Sequence, residues 1–253
     1  VNAVLAVKKR GNRYDGVSQL ITDPEEVLEC AGSLHCVSPN IAKNLKNYLD
    51  GAQNMKIAVV CKPCDARAIV ELTKREQVNF ENLILIGVNC TGIFPPNIAK
   101  RMLVEEYGVD PSEVVREDID GKNLIITLRD GSRRVRDLEE LERKGYGRRA
   151  NCKRCDVKIP RMADLACGKW GAEKEDQTFV EVCSERGAEI LENAVKSGYV
   201  IVEPPSREAI EERKRKETEA IEFARKERRE EFAAVSYTHL RAHETRHESR
   251  MPS

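Results

Sequence analysis

The sequence predicts an α/β fold: a mixed, largely parallel sheet with flanking helices and a cysteine-rich loop region. Three observations predict it. Two short apolar runs, Lys56-Ile57-Ala58-Val59-Val60 and Leu83-Ile84-Leu85-Ile86-Gly87-Val88, have the length and β-branched content of strands buried on both faces. A helical pattern follows each run, and a strand–helix–strand–helix order calls for parallel pairing through a crossover. Finally, there are nine cysteines in 253 residues, and two of them, Cys64 and Cys90, stand where the apolar runs end.

The elements follow in order. Residues 1–7 are rich in Val, Ala and Leu and read as a buried strand or its second half. Asp23-Pro24-Glu25-Glu26 opens a short helix, with an Asp cap, a Pro suited to the first turn, and acids at the positive end of the helix dipole. Ile41, Ala42, Leu45, Tyr48 and Leu49 keep helical spacing over 39–49. The strand at 56–60 runs into Cys61-Lys62-Pro63-Cys64, after which Asp65 is expected to cap a helix through Ala66, Ala68, Ile69 and Leu72. The strand at 82–88 ends at Asn89-Cys90-Thr91-Gly92, and a helix is expected over 96–107. Residues 122–135 read as a hairpin around Asp130-Gly131. A charged helix at 138–144 leads into a flexible basic loop, Gly145-Tyr146-Gly147-Arg148-Arg149, and then Asn151-Cys152-Lys153-Arg154-Cys155. A strand over 178–183, a helix over 185–197 and a last strand over 199–202 close the core. Residues 206–232 are dense in Glu, Lys and Arg and read as a long solvated helix laced by i,i+4 pairs, a linker or docking strut. Residues 233–253 change character and read as a vector- or adapter-like tail outside the fold; the spacing of His239, His243 and His247 mimics a metal face that this reading discounts.

Composition narrows the function. The charges sum to zero, so nothing points to nucleic acid or an anionic membrane. No apolar run reaches the roughly 18 residues of a membrane span, and no signal peptide opens the chain. The absence of a starting Met suggests that position 1 is not the native start. An odd cysteine count with no sign of secretion favours metal ligation over a disulfide framework.

Four thiols in three segments can hold an iron–sulfur cluster or a structural zinc. In a parallel sheet Cys64 and Cys90 both lie at strand C-termini, the edge where α/β folds gather ligands. The C-x2-C of Cys152 and Cys155 puts two further thiols on one turn. Cys61-Lys62-Pro63-Cys64 is also a C-x2-C, so a zinc set of Cys61, Cys64, Cys152 and Cys155, or a redox dithiol at Cys61 and Cys64, stays open. Cys30, Cys36, Cys167 and Cys183 read as small buried residues, and His35 as a structural one. In Gly168-Lys169-Trp170-Gly171, Trp170 offers a stacking face and the glycines permit close backbone approach, unless the segment is a plain surface turn. Gly32-Ser33 and Thr91-Gly92 can supply donors to phosphates or merely cap and turn. Lys62, Arg148 and Arg149 can neutralise an anion or form a solvated surface. No G-x-G-x-x-G is present, so a Rossmann site has no support.

At these residues the chain resembles the beta subunits of the coenzyme F420-dependent formate dehydrogenase and hydrogenase family of methanogenic archaea, the formate dehydrogenase branch more than the other. The resemblance rests on Ala31-Gly32-Ser33-Leu34-His35-Cys36, Lys62-Pro63-Cys64-Asp65-Ala66, Gly87-Val88-Asn89-Cys90, residues 145–155 and 163–174, and Phe179-Val180-Glu181-Val182-Cys183 through Gly187. It implies a cytoplasmic oxidoreductase subunit of methanogenesis that carries FAD and one [4Fe–4S] cluster. Such a subunit takes electrons from formate or hydrogen oxidation in a catalytic alpha subunit and passes them to coenzyme F420 as substrate, with a heterodisulfide reductase complex as a further partner. The resemblance assigns Cys64, Cys90, Cys152 and Cys155 as cluster ligands. It places Gly32, Ser33, Lys62, Asn89, Thr91, Gly92, Arg148, Gly168, Lys169, Trp170 and Gly171 at the flavin or deazaflavin, and no residue as catalytic. The expected organisation is an FAD and iron–sulfur core at 1–205, a linker helix at 206–232 and the tail. The family's N-terminal Cys-Gly-Gly segment and C-terminal ferredoxin-like domain are not found, so residues 1–7 are expected to form an unpaired edge. A zinc-stabilised, non-redox scaffold is the alternative.

Overall fold

The computed structural model describes residues 1–10, 12–30 and 40–248, with side chains described except at 9, 10, 12, 13 and 234–248. Gly32, Ser33, His35 and Cys36 lie outside the described residues. A six-stranded sheet takes β1 (Ala3–Arg10), β2 (Asn12–Ile21), β3 (Ile57–Cys61), β4 (Leu83–Val88), β8 (Leu165–Gly168) and β9 (Phe179–Val182) in the order β2-β1-β3-β4-β8-β9. The four inner strands pair in parallel and the two edges are antiparallel. A second, three-stranded antiparallel sheet joins β5 (Val114–Asp120), β6 (Asn123–Leu128) and β7 (Arg133–Asp137). This is the mixed, largely parallel sheet that the apolar runs predict.

The connecting helices are α1 (Pro24–Val27), α2 (Ile41–Tyr48), α3 (Pro63–Lys74), α4 (Pro96–Met102), α5 (Leu138–Arg143), α6 (Ala150–Lys153), α7 (Glu185–Lys196) and α8 (Arg207–Glu248). α4 widens into one π turn over Leu103–Tyr107. Two apolar cores follow from this layout. Leu5, Ile57, Val59, Leu83 and Leu85 of the large sheet pack with Ile41 and Leu45 of α2 and Ile69 of α3. Leu124 and Ile126 of β6 pack with Met102, Leu103, Tyr107, Leu138 and Leu141.

Several elements depart from the sequence reading. β1 is flanked by β2 and β3, so it is not an unpaired edge. Asp65 is not the N-cap residue of α3: Lys62 holds that position without a side-chain cap bond and Pro63 fills the first turn, while the buried Asp65 carboxylate, one turn in, accepts from the Lys62 and Ile41 amides at 3.0 Å. Residues 199–202 form no strand: Ile201 is 91% exposed, because nothing packs on this apolar stretch between α7 and α8. α8 is not a free solvated rod. Ala209, Arg213 and Ala224 are buried against the body of the protein, and the backbone stays helical past the change of composition near residue 233. Among the described residues no helix is long and apolar enough to cross a membrane.

Candidate functional site

Parallel pairing sends the C-termini of β3, β4 and β8 to one edge of the sheet, with Cys61 opposite Gly87 and Val88 opposite Cys167. Three candidate segments therefore emerge together: Lys62–Cys64 after β3, Asn89–Gly92 after β4, and Gly168–Gly171 after β8. Two backbone bonds lock them. Asn89 N donates to Cys167 O at 2.8 Å, and Cys90 N donates to Lys158 O at 3.0 Å, which ties the β4 exit to the chain just beyond the C-x2-C. The C-x2-C itself opens on α6, whose entry is held where Arg149 N donates to Ile93 O at 2.9 Å.

These segments bring Cys64, Cys90, Cys152 and Cys155 into one electrostatic neighbourhood. Cys64 feels the charge of Cys90 and Cys155, and Cys90 feels that of Cys152. Cys64 is exposed at the sheet edge, and the protein crowded around it together with the Asp65 carboxylate raises its thiol pKa, with Lys62 opposing. Burial also raises Cys90, and a hydrogen bond from the Gly92 backbone to its sulfur pulls the other way. Lys158, 4% exposed, stands within reach of Cys155, Cys90 and Cys152; burial lowers its pKa and the three sulfurs oppose the shift. Among the described residues no three His, Cys, Asp or Glu side chains are already gathered at metal-binding distances. The donor set nonetheless fits an iron–sulfur cluster: four soft thiols, an amide N–H on sulfur and a buried cation suit an anionic, sulfur-ligated centre. Cys61 does not join them. It is 1% exposed inside the large-sheet core and its pKa is pushed up to about 12 by burial, so the zinc set built on it loses a ligand and the Cys61–Cys64 dithiol is left with one accessible sulfur, Cys64.

Beside the thiols lies a cleft of about 340 Å³ between the β5–β6 turn, α5 and α8. Three of the predicted cofactor residues line it: Thr91, Arg148 and Trp170. Sequence reasoning missed the rest. Lys122 comes from the hairpin turn and Lys158 from the loop after α6, while Arg215, Lys216 and Phe223 come from α8. Cations outnumber the acids Asp120, Glu139 and Glu219 on its walls, and two aromatic rings flank it. That pairing suits a ligand with a flat ring and phosphate.

Arg148 is fixed rather than part of a flexible loop. Its Nε donates to Glu142 Oε1 at 2.7 Å, its Nη1 to Thr91 O at 3.3 Å, and its guanidinium lies 5.4 Å from the Phe223 ring centre. Burial alone would raise the Glu142 pKa, but Arg148 and Lys153 together hold its carboxyl below the usual range. Gly92, at φ +132°, is pressed against Arg148: a Cβ there would stand 2.5 Å from Arg148 Cδ.

The other predicted residues among those described face the protein. Lys62 Nζ pairs with Asp65 at 2.7 Å. Lys169 Nζ donates to the Gln177 carbonyl at 2.7 Å and to that of Glu175. Gly168 lets Asn89 approach, and the buried Asn89 Oδ1 has no hydrogen-bond partner. Gly171, at φ +86°, admits α8: a Cβ there would stand 2.7 Å from Phe179 and 3.0 Å from the Ala209 carbonyl. The closeness expected of these glycines is thus spent on the protein, and Trp170 is the member of this turn that reaches the cleft. Ion pairs fasten α8 across the C-x2-C: Lys153–Glu227 at 3.4 Å, Arg154–Glu231 at 2.5 Å and Arg228–Asp156 at 2.9 Å.

Comparison with known proteins gives the following. Residues 54–208 match the family model for the C-terminal part of the coenzyme F420 hydrogenase/dehydrogenase beta subunit, and residues 1–43 match the model for its N-terminal part. The chain is 49% identical over 226 residues to the F420-dependent formate dehydrogenase subunit beta of Methanocaldococcus jannaschii, covering 89% of this chain and 59% of that protein. It is 46% identical to the F420-dependent formate dehydrogenase 1 subunit beta of Methanococcus maripaludis, covering 88% and 58%. It therefore spans under two thirds of the length of these relatives. In fold it is similar to a chain of the F420-reducing [NiFe] hydrogenase complex from Methanosarcina barkeri, with a TM-score of 0.76 and 16% identity over 89% of this chain and 78% of that one.

Proposed function

We propose that this chain, which belongs to the coenzyme F420 hydrogenase/dehydrogenase beta-subunit family, is a flavin and iron–sulfur electron-transfer subunit of an F420-dependent oxidoreductase. Its partner is a catalytic alpha subunit that oxidises formate, the choice favoured by the two formate dehydrogenase relatives. Cys64, Cys90, Cys152 and Cys155 hold a [4Fe–4S] cluster, and the cleft holds FAD. When bound, the flavin would collect single electrons from the cluster and pass them on as a hydride to coenzyme F420.

The chain's own residues place and insulate these groups. Trp170 and Phe223 offer faces for a ring. Arg148, Lys122 and Lys216 supply positive charge for phosphate, with Arg148 aimed by Glu142 and the Thr91 carbonyl. The Gly92 backbone donates to the Cys90 sulfur and so favours its ligating, deprotonated form. α8 is fastened across the C-x2-C by ion pairs, which leaves Cys152 and Cys155 half-buried. The observation that supports the reading is the shared edge at the β3 and β4 ends, where Cys64 and Cys90 emerge and where the Cys90 amide ties to Lys158, a residue just past Cys155 that also lines the basic, aromatic cleft.

Iron, acid-labile sulfide, zinc and flavin content of the anaerobically purified chain tests it, beside a Cys152→Ser, Cys155→Ser variant. About four irons with bound flavin, and iron lost in the variant, is the expected result. One zinc with neither iron nor flavin after reconstitution would leave the scaffold reading instead.

A further inference from the structure

Five charged side chains are buried in the described part of the chain: Asp65, Glu117, Lys158, Asp164 and Arg213. Four of them have a partner. Asp65 pairs with Lys62, Asp164 with Arg186 and Arg213 with Glu181, and Glu117 accepts from Tyr14. Lys158 is the exception: among the described residues no carboxylate or hydrogen-bond acceptor meets its ammonium. Its electrostatic neighbours are instead the sulfurs of Cys155, Cys90 and Cys152, together with the like charge of Arg148. The stem is buried while the residue lines the cleft, so among the described residues it presents a cation with no carboxylate partner, and such a cation attracts an anion beside it.

The position narrows the choice of anion. Lys158 follows Cys155 by three residues, its carbonyl accepts from the Cys90 amide, and its side chain reaches the cleft wall. It therefore stands between the thiols and the cleft. We infer that Lys158 is the fixed counter-charge of the iron–sulfur cluster and holds its reduction potential up. This rests on the cluster assignment proposed above. A four-thiolate cluster is anionic and gains one more negative charge on accepting one electron. A neighbouring cation therefore stabilises the reduced form more than the oxidised one. Lys153, on the same segment, makes the useful contrast, because its charge is already met by Glu142 and Glu227.

The test is a dithionite titration of the cluster, followed by electron paramagnetic resonance, in the flavin-free full chain. Removing flavin prevents a pairing of Lys158 with a cleft phosphate from being read as tuning. Lys158→Gln is expected to shift the one-electron equilibrium toward the oxidised form by about tenfold or more, which is ~59 mV downward. Lys158→Arg should restore most of that shift, and Lys153→Gln should leave the potential in place. An unchanged potential in Lys158→Gln overturns the inference, as does an equal shift in Lys153→Gln. Should Lys158→Gln lose its iron, Lys158→Met is titrated instead. Loss from both, with Lys158→Arg loaded at the wild-type potential, assigns the residue to assembly and overturns the tuning role. A wild-type chain that takes up no iron fails earlier, at the cluster assignment, and is told apart by that.

Discussion

Glu142 is the hinge of the cleft, and its replacement by Gln isolates what its charge does. The side chain is 7% exposed, accepts from Arg148 Nε at 2.7 Å and stands 3.3 Å from Lys153 Nζ. Glu142→Gln keeps the shape and one acceptor but leaves Arg148, 10% exposed, without its anion. A charge-assisted hydrogen bond is worth about 1.5–3 kcal/mol, and stripping one partner from a fully buried pair costs about 3–5 kcal/mol. Arg148 still keeps the Thr91 carbonyl and the Phe223 face, so we expect about 2–4 kcal/mol. For a chain of this size that lowers Tm by roughly 5–15 °C. The sign with pH is fixed by the folded state. The Glu142 carboxyl is held below its ordinary value, so its contribution is present above the unfolded pKa of about 4.3 and is lost as pH falls through the folded value. Thermal unfolding followed by circular dichroism should therefore show the full gap at pH 7, closing below about pH 4. A Tm within ~1 °C of wild type at pH 7, or a gap that survives acidification, would refute the reasoning.

Trp170 is the chain's only tryptophan and lines the cleft, so flavin binding there should quench the protein's indole emission. Phe223→Ala should weaken that binding up to about tenfold by freeing Arg148, whereas unquenched emission with flavin bound would place the flavin elsewhere. Gly171→Ala puts a side chain at φ +86° and 2.7 Å from Phe179. It should cost about 1–3 kcal/mol and speed proteolysis within α8; an unchanged cleavage rate would count against the close approach of that helix. The half-exposed pairs that fasten the far part of α8 are each worth on the order of 1 kcal/mol and are screened by salt. Amide exchange over 222–233 should thus rise from low to high salt while exchange near Ala209 stays slow, and equal change at both would contradict this division.

The parallel core is legible in the sequence because its strands carry their own signal. β3 and β4 are apolar runs bounded by polar residues, and burial on both faces demands that pattern. β2, β5 and β8 are not legible, for three separate reasons. β2 is an antiparallel edge strand that reads Asn-Arg-Tyr-Asp-Gly-Val-Ser-Gln-Leu-Ile, so no apolar run marks it. β5 reads Val-Val-Arg-Glu-Asp-Ile-Asp, and only the pairing with β6 makes a strand of it. β8 is four residues long, too short for any period to show, and is fixed by its register against β4. Residues 199–202 show the converse error: β-branched and aromatic residues suggest a strand, but propensity needs a partner edge and none is offered.

The site divides along the same line. Thiols announce themselves by type and spacing, and two strand ends suffice to bring Cys64 and Cys90 together. The cleft does not announce itself, because its far wall is α8, whose charge pattern is that of any solvated helix. What docks that helix is small rather than apolar. Ala209 and Ala224 are buried, Arg213 lies 5.2 Å from the Phe179 ring centre, and Gly171 removes the one side chain that would hold α8 away. Its ion-pair partners, Arg161 with Glu217 and Asp156 with Arg228, lie dozens of residues apart in sequence, beyond the reach of an i,i+4 reading. The second glycine of Gly-Lys-Trp-Gly is therefore a real signal of close approach, but the backbone that approaches is the protein's own helix. By closing on Gly171 that helix brings Phe223 over Arg148 and completes the cleft that Trp170 lines.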